Sequence, residues 1–247
     1  MVNMIRIVLV CLLCFTQSVF AGVSQSSPSP RLFLLAGLDL SYARFGRDQT
    51  VVMLNDGTSN RYISQNKSHF ATGFQLLVGA EWPFVHNTLL QAGVGLHRTA
   101  RLSDTGDVYQ FSDSEFDNFV YLYGVQSTRV MIEMRLLKKL HERLMPYVSL
   151  GLGGAINKAG AYQETAKFSG LIAMQPYTSN VKVNLAYQAG LGAEYQISPT
   201  MRLGLGYELA SLGLAELGLS PSQTINSRFK SRNIYTNNVS IHITALA

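Results

Sequence analysis

Asp39, Ser41 and His97 are the residue types of a Ser-His-acid nucleophile, in which an imidazole takes the proton of a hydroxyl and a carboxylate orients the ring. Such triplets recur by chance in a chain of this length, so residue type alone assigns no catalysis. The other histidines, His69, His86, His141 and His242, fall on separate segments. None has the i, i+4 spacing that brings two imidazoles to one zinc ion on a helix. The glycine clusters GLGGAINKAG (151–160) and AGLGAEY (189–195) share only composition with phosphate-cradling loops. A dinucleotide site needs a strand, a tight turn and then a helix, whereas these glycines keep the parity of a strand. No cofactor or metal is expected.

The charged residues are more orderly. Asp39, Glu81, Glu133, Glu194 and Glu208 share one parity of their segments with Arg129, Arg135, Lys182 and Arg202. The segments that carry them alternate apolar with small or polar residues, the period of a β-strand. Eight recur, at 31–44, 70–82, 89–99, 121–136, 146–159, 184–197, 201–209 and 233–245. In the sixth, Leu185, Tyr187, Ala189, Leu191, Ala193, Tyr195 and Ile197 oppose Asn184, Gln188, Gly190, Gly192 and Glu194. That is longer than the 5–6 residues usual for a strand in a soluble sandwich.

Connections alternate in length. Those at 83–88, 137–144 and 198–200 are short, and those at 45–69, 100–118, 160–180 and 210–232 are long and polar. A strand that crosses a bilayer needs roughly 9–11 tilted residues, and in hydrocarbon every backbone group must be paired, so the sheet must close. The pattern predicts an all-β protein, a closed antiparallel up-and-down transmembrane β-barrel of eight strands, with short turns in the periplasm and long loops outside. A soluble lipocalin-like barrel is the alternative. It needs a charged exterior, and here the polar parity carries many glycines and few charges. The LNDGTS stretch (54–59) suits an Asp-Gly type I′ hairpin, which would stiffen the first loop or raise the strand count to ten.

Residues 1–21 read as a signal peptide: Arg6 precedes an apolar run, and Val19-Phe20-Ala21 supplies the site for cleavage after Ala21. Both cysteines, Cys11 and Cys14, leave with it. Residues 22–247 then form one barrel domain without a disulfide or thiol nucleophile. The formal net charge is +5, but Lys and Arg are scattered, which excludes a nucleic-acid footprint.

In a narrow lumen, isolated charges must pair. Glu81, Arg129, Glu133, Arg135, Glu194, Arg202 and Glu208 are therefore expected to form a plugging network, and a gated pore is the alternative. Trp82, Phe84 and Tyr195 are expected at the periplasmic interface, and Tyr42, Phe70 and Tyr162 at the outer one. Arg44, Arg98 and Lys158 keep the lipid-facing parity at the outer strand ends, where they are expected to contact lipopolysaccharide phosphates. The second long loop is acidic (Asp104, Asp107, Asp113, Glu115, Asp117) and the fourth basic (Arg228, Lys230, Arg232). They are read as ordinary solvated loop charge, with docking on each other or on a host or matrix ligand as the alternative.

With a leader, eight alternating segments and short-long connections, the chain resembles the small eight-stranded outer-membrane barrels, the OmpA-like transmembrane domain and the opacity-type surface proteins. The resemblance covers the mature chain through architecture rather than a diagnostic motif. It implies a bacterial outer-membrane location, insertion by the barrel-assembly machinery, and a structural or adhesin-like role carried by the outer loops. A narrow channel for small solutes is the alternative, and a lipid- or peptide-cleaving barrel enzyme a more distant one. The last strand of that family ends in an aromatic residue, whereas SIHITALA ends in Ala247.

Overall fold

The computed structural model describes residues 29–65, 68–140 and 143–247; the assigned leader, with Cys11 and Cys14, and His141 lie outside the described residues. Among the described residues there are eleven strands: β1 (Arg31–Arg44), β2 (Gln49–Val52), β3 (Ser59–Ser64), β4 (Ser68–Pro83), β5 (Thr88–Thr99), β6 (Leu102–Tyr109), β7 (Asp117–Lys138), β8 (Leu144–Ala166), β9 (Asn180–Ser198), β10 (Met201–Ser211) and β11 (Tyr235–Leu246). Eight of them close a ring in the order β1-β4-β5-β7-β8-β9-β10-β11, and every neighbour is antiparallel.

The register fixes the tilt of the wall. Stepping across partners from Arg31 leads through Glu81, Gln91, Arg135, Ser149, Gly190, Glu208 and Asn238 back to β1 at Ser41, ten residues along the strand. A stagger of this size in an eight-stranded ring tilts the strands by about 40° and leaves room inside for side chains only. Leu34, Leu38 and Leu40 of β1, Ile132 of β7, Leu150 of β8 and Leu185 of β9 lie on the outside and are exposed. The opposite parity is buried. This apolar exterior is the lipid-facing surface of a transmembrane barrel.

β7 and β8, of 22 and 23 residues, are far longer than a bilayer requires, and their outer ends stand above it. There β6 pairs with β7 from Leu102↔Val125 to Tyr109↔Asp117, β3 pairs with β6, and β2 with β3. The expected hairpin thus forms but joins this extension, and the ring keeps eight strands. Its turn differs from type I′, which needs positive φ at both central residues. Here the Gly57 N–H bonds to Leu54 O, and only Gly57, with φ of 90°, is left-handed in the turn.

A second departure lies in β8. The pairing steps from Leu122↔Gln163 to Gly124↔Gly160, so Ala161 and Tyr162 together oppose Tyr123. Ala161, at φ of 52°, makes the bulge. One inserted residue flips the parity beyond it. Tyr162, expected in the outer aromatic girdle, is therefore turned inward and is 5% exposed. Tyr42 and Phe70 remain outside, with ring centroids 5.0 Å apart.

Candidate functional site: the lumen and its outer cap

Toward the short-turn end, the lumen is filled by one connected group of charges. Arg202 makes two bonds to Glu81, at 2.5 and 2.8 Å, and reaches Glu194 at 3.5 Å. Arg135 donates to Glu194 at 2.8 Å and to Gln91 at 3.0 Å, and Gln91 donates to Glu81 at 2.9 Å. His242 Nε2 lies 3.4 Å from Glu194, Thr244 donates to the same carboxylate, and the Arg135 guanidinium stacks 3.9 Å from the centroid of Tyr147. Glycine makes room for these groups: a Cβ on Gly204 would collide with the His242 ring, and one on Gly95 with the Glu133 carboxylate.

A second group lies nearer the middle. Arg129 donates to Glu208 and Gln188, both at 2.9 Å, and Asn238 donates to Glu208 at 2.8 Å. Glu133 sits apart from both, 2.5 Å from His97 Nε2. The seven expected network residues are all present in the lumen, but as three groups. Gln91, Gln188, Asn238 and Thr244 were not foreseen as their partners, although they share the inward parity. Lys182 is paired outside these groups, with Glu216 of the last long loop at 2.9 Å.

Ser41, His97 and Asp39 do not make a nucleophile. The Ser41 hydroxyl donates to Asp39 at 3.3 Å, His97 is engaged by Glu133, and all three are buried in the lumen rather than at the rim. The glycine clusters run within β8 and β9 with no helix after them. Among the described residues no three His, Cys, Asp or Glu side chains converge as a metal site.

Above the charges the outer mouth is closed by a hydrophobic core. Phe45, Tyr62, Tyr121, Tyr123, Tyr162, Tyr177 and Phe229 pack edge-to-face and tilted around one another, with Met53, Leu212 and Leu217 in the same buried cluster. The Phe229 ring lies 4.9 Å from Tyr62 and 5.0 Å from Tyr123. Burial pushes the Tyr62 hydroxyl up to about 12. These residues come from β3, β7, β8 and three long loops, and the loops are stitched down. Asn157 donates to the Leu212 and Leu214 carbonyls, the Gln49 side chain brackets the Lys230 backbone, and Thr224 N–H reaches Met53 O.

The acidic loop proves to be β6 followed by two short 3-10 turns, and its charges do not meet Arg228, Lys230 or Arg232. Asp104 is buried, accepting from Ser64 at 2.8 Å and from Tyr121 at 3.0 Å; burial pushes its carboxyl above the ordinary range despite those bonds. Lys167 joins Asp107 and Asp117 at 2.6 and 2.7 Å. Lys230 and Arg232 point outward. At the rim, Arg44, Arg98 and Lys158 are exposed as expected. The structure separates them: Arg98 donates to Gln126, the register partner of Lys158, whereas Arg44 stands on the opposite flank of β4.

A closed eight-stranded antiparallel ring, apolar outside over the depth of a bilayer and polar within, is a bacterial outer-membrane β-barrel. No protein-family model matches the sequence, and no curated protein matches it. Among solved structures, the chain is similar to the outer-membrane protein OprG from Pseudomonas aeruginosa, at 12% identity over 90% of this chain and 98% of that one, with a TM-score of 0.49. The outer-membrane protease OmpT from Escherichia coli follows at 10% identity over 90% and 99%, TM-score 0.47. Neisserial surface protein A is similar at 12% identity over 87% and 96%, TM-score 0.46. At such identities the likeness extends to the fold alone.

Proposed function

We propose that this barrel works through its outer surface, as a structural or adhesin-like component of the outer membrane. The observation that carries the reading is the double closure of the lumen, by paired charges below and a hydrophobic core above. The cap also leaves large apolar side chains in water at its tip. Phe111 is 64% exposed, its ring centroid 5.7 Å from that of Phe116, with Phe168 and Ile172 exposed on the loop after β8. Phe111 and Ser112 have φ of 56° and 60°, a region that bulky residues rarely enter. Strain of this kind is retained where a side chain must be held in place, and an exposed apolar patch marks an interaction surface. A host-surface or matrix ligand fits this tip, and insertion by the barrel-assembly machinery belongs to the same reading.

The test is binding of the intact protein and an F111S/F116S/F168S variant to cultured host cells and to a panel of immobilised matrix proteins. At least a tenfold loss with the barrel still folded is expected; undiminished binding would remove the tip from the account.

A narrow channel is the second reading, favoured by the layer between the two closures. Asp39 Oδ1, Ser127 Oγ, Thr236 Oγ1 and Asn238 Oδ1 have no hydrogen-bond partner there among the described residues. Buried polar atoms require a partner, and water entering this layer would supply it. The charges and the cap would then be two gates in series. A hydrolase has no such support, because Ser41, His97 and Asp39 do not form a Ser-His-acid array.

A further inference from the structure

Four cations gather on one flank of the barrel just above its aromatic girdle. Arg44 ends β1, and Arg47 follows it in the loop to β2. Lys230 and Arg232 lie in the segment leading into β11, and that segment is held against the first loop by the Gln49 bracket on Lys230 and by the Arg232 N–H to Phe45 O bond of 3.1 Å. Buried and exposed positions interleave there, with a break at Arg232 and Asn233, which are both exposed. Phe45, Phe229, Ser231 and Ile234 are buried, while Arg44, Arg47, Lys230, Arg232 and Tyr235 are exposed. Arg44 is the register partner of Tyr235, and Tyr42 and Phe70 lie directly beneath on β1 and β4. Of the nearby carboxylates, Asp48 accepts the Ser64 N–H at 3.0 Å, and Glu216, the bridge partner of Lys230, binds Lys182.

We infer that this patch binds the phosphorylated headgroup of an outer-leaflet glycolipid, with its acyl chains lying along Tyr42, Phe70 and Tyr235. Guanidinium groups grip phosphate oxygens in bidentate fashion, and each such charge-assisted pair is stronger than a neutral hydrogen bond. Aromatic rings at headgroup depth, with cations immediately above, match a ligand that is anionic at one end and apolar at the other. A soluble anion makes no use of the aromatic half. Arg44 is the one member shared with the rim set Arg44, Arg98 and Lys158 read from parity. Arg47, Lys230 and Arg232 lie beyond the spans in which parity can be followed.

The experiment uses the folded full-length protein in a neutral detergent, titrated with bisphosphorylated lipid A, with dephosphorylated lipid A and with inorganic pyrophosphate. Folding is checked by heat-modifiable gel mobility. Bisphosphorylated lipid A is expected to bind the parent at least tenfold more tightly than the R44Q/R47Q/K230Q/R232Q variant, and the R98Q/K158Q variant to stay within about twofold of the parent. Should the fourfold variant fail to fold, R47Q/K230Q, confined to exposed loop positions, is expected to weaken binding at least threefold. Equal affinity of the patch variants and the parent would overturn the proposal. So would equal binding of dephosphorylated lipid, which would make the contact apolar only, or pyrophosphate binding as tightly as the lipid, which would make it a free-anion site. Loss in R98Q/K158Q alone would place the lipid on the other flank and would also overturn it.

Discussion

The lumen is blocked twice, and the two blocks are built by opposite means. The charged layer is made by side chains of the ring strands themselves, each held by the register of the wall, and its cohesion is Arg–carboxylate pairing in a water-poor space. The cap is assembled largely from loops and three extra strands, and its cohesion is the packing of aromatic rings, as in a soluble domain. The difference teaches where strength and adaptability sit. A buried ion group tolerates no loss of one partner, because the remaining charge is stranded. A hydrophobic core loses energy in proportion to the cavity left, and the loops around it relax.

This contrast orders the expected effects of mutation. Arg202→Ala strands Glu81 and crowds the burden of Glu194 onto Arg135, so a loss of about 3–5 kcal/mol is expected in urea unfolding from lipid vesicles. The double replacement E81L/R202M removes charge and partner together and is expected to be milder than the single one. If the double variant is the worse of the two, pairing does not hold the layer. In the cap, Phe229→Ala is expected to cost about 3 kcal/mol. Its mark is regional: hydrogen exchange should quicken in β3, β6 and the outer end of β7 while β9 and β10 stay protected. Uniform quickening would mean that the two blocks are one cooperative unit.

Parity made the wall readable and left the cap hidden. For β1 the expected span of 31–44 coincides with the strand, and the other seven agree to within a few residues at most ends, because lipid on one side and lumen on the other impose a strict period of two. The lumen charges followed from the same parity, whereas their division into three groups depends on the tilt of the wall, which no single strand reveals. Tyr162 shows where the rule fails. A single residue at Ala161 shifts the phase, and a non-glycine bulge leaves no mark in the sequence. β6 was missed because Asp104 and Gly106 stand on its inward face, so its alternation reads as polar loop. The gathering of Phe45, Tyr62, Tyr177 and Phe229 comes from four separate segments, and no local pattern announces it.

The bulge offers a smaller test of the same contrast. Ala161→Gly relieves the left-handed backbone and is expected to stabilise the outer end of β8 by about 1 kcal/mol. Deleting Ala161 removes the inserted residue and sets Tyr162 directly opposite Tyr123, so Tyr162 is expected to stay inward and Tyr177 and Phe229 to keep their protection from exchange. The weakest effect belongs to pH. Burial draws the Asp107 carboxyl upward, but hydrogen bonds from Lys167 and Gln65 outweigh it and hold its pKa below the ordinary value. A depressed folded pKa contributes stability above the unfolded value and loses it as pH falls through the folded one, so the cap edge should loosen only below about pH 4. Lys167→Met should erase that step, and an unaltered acid transition would assign it elsewhere.

The central claim, a barrel closed at two levels, is tested most directly by conductance across a planar lipid bilayer. The account predicts that the purified protein shows no steady openings, and that a variant lacking the loop segment 213–233 stays closed, because the charged layer beneath is intact. Steady openings in the parent protein, changed in size or frequency by Glu194→Ala or Arg202→Ala, would contradict it and establish the lumen as a pore.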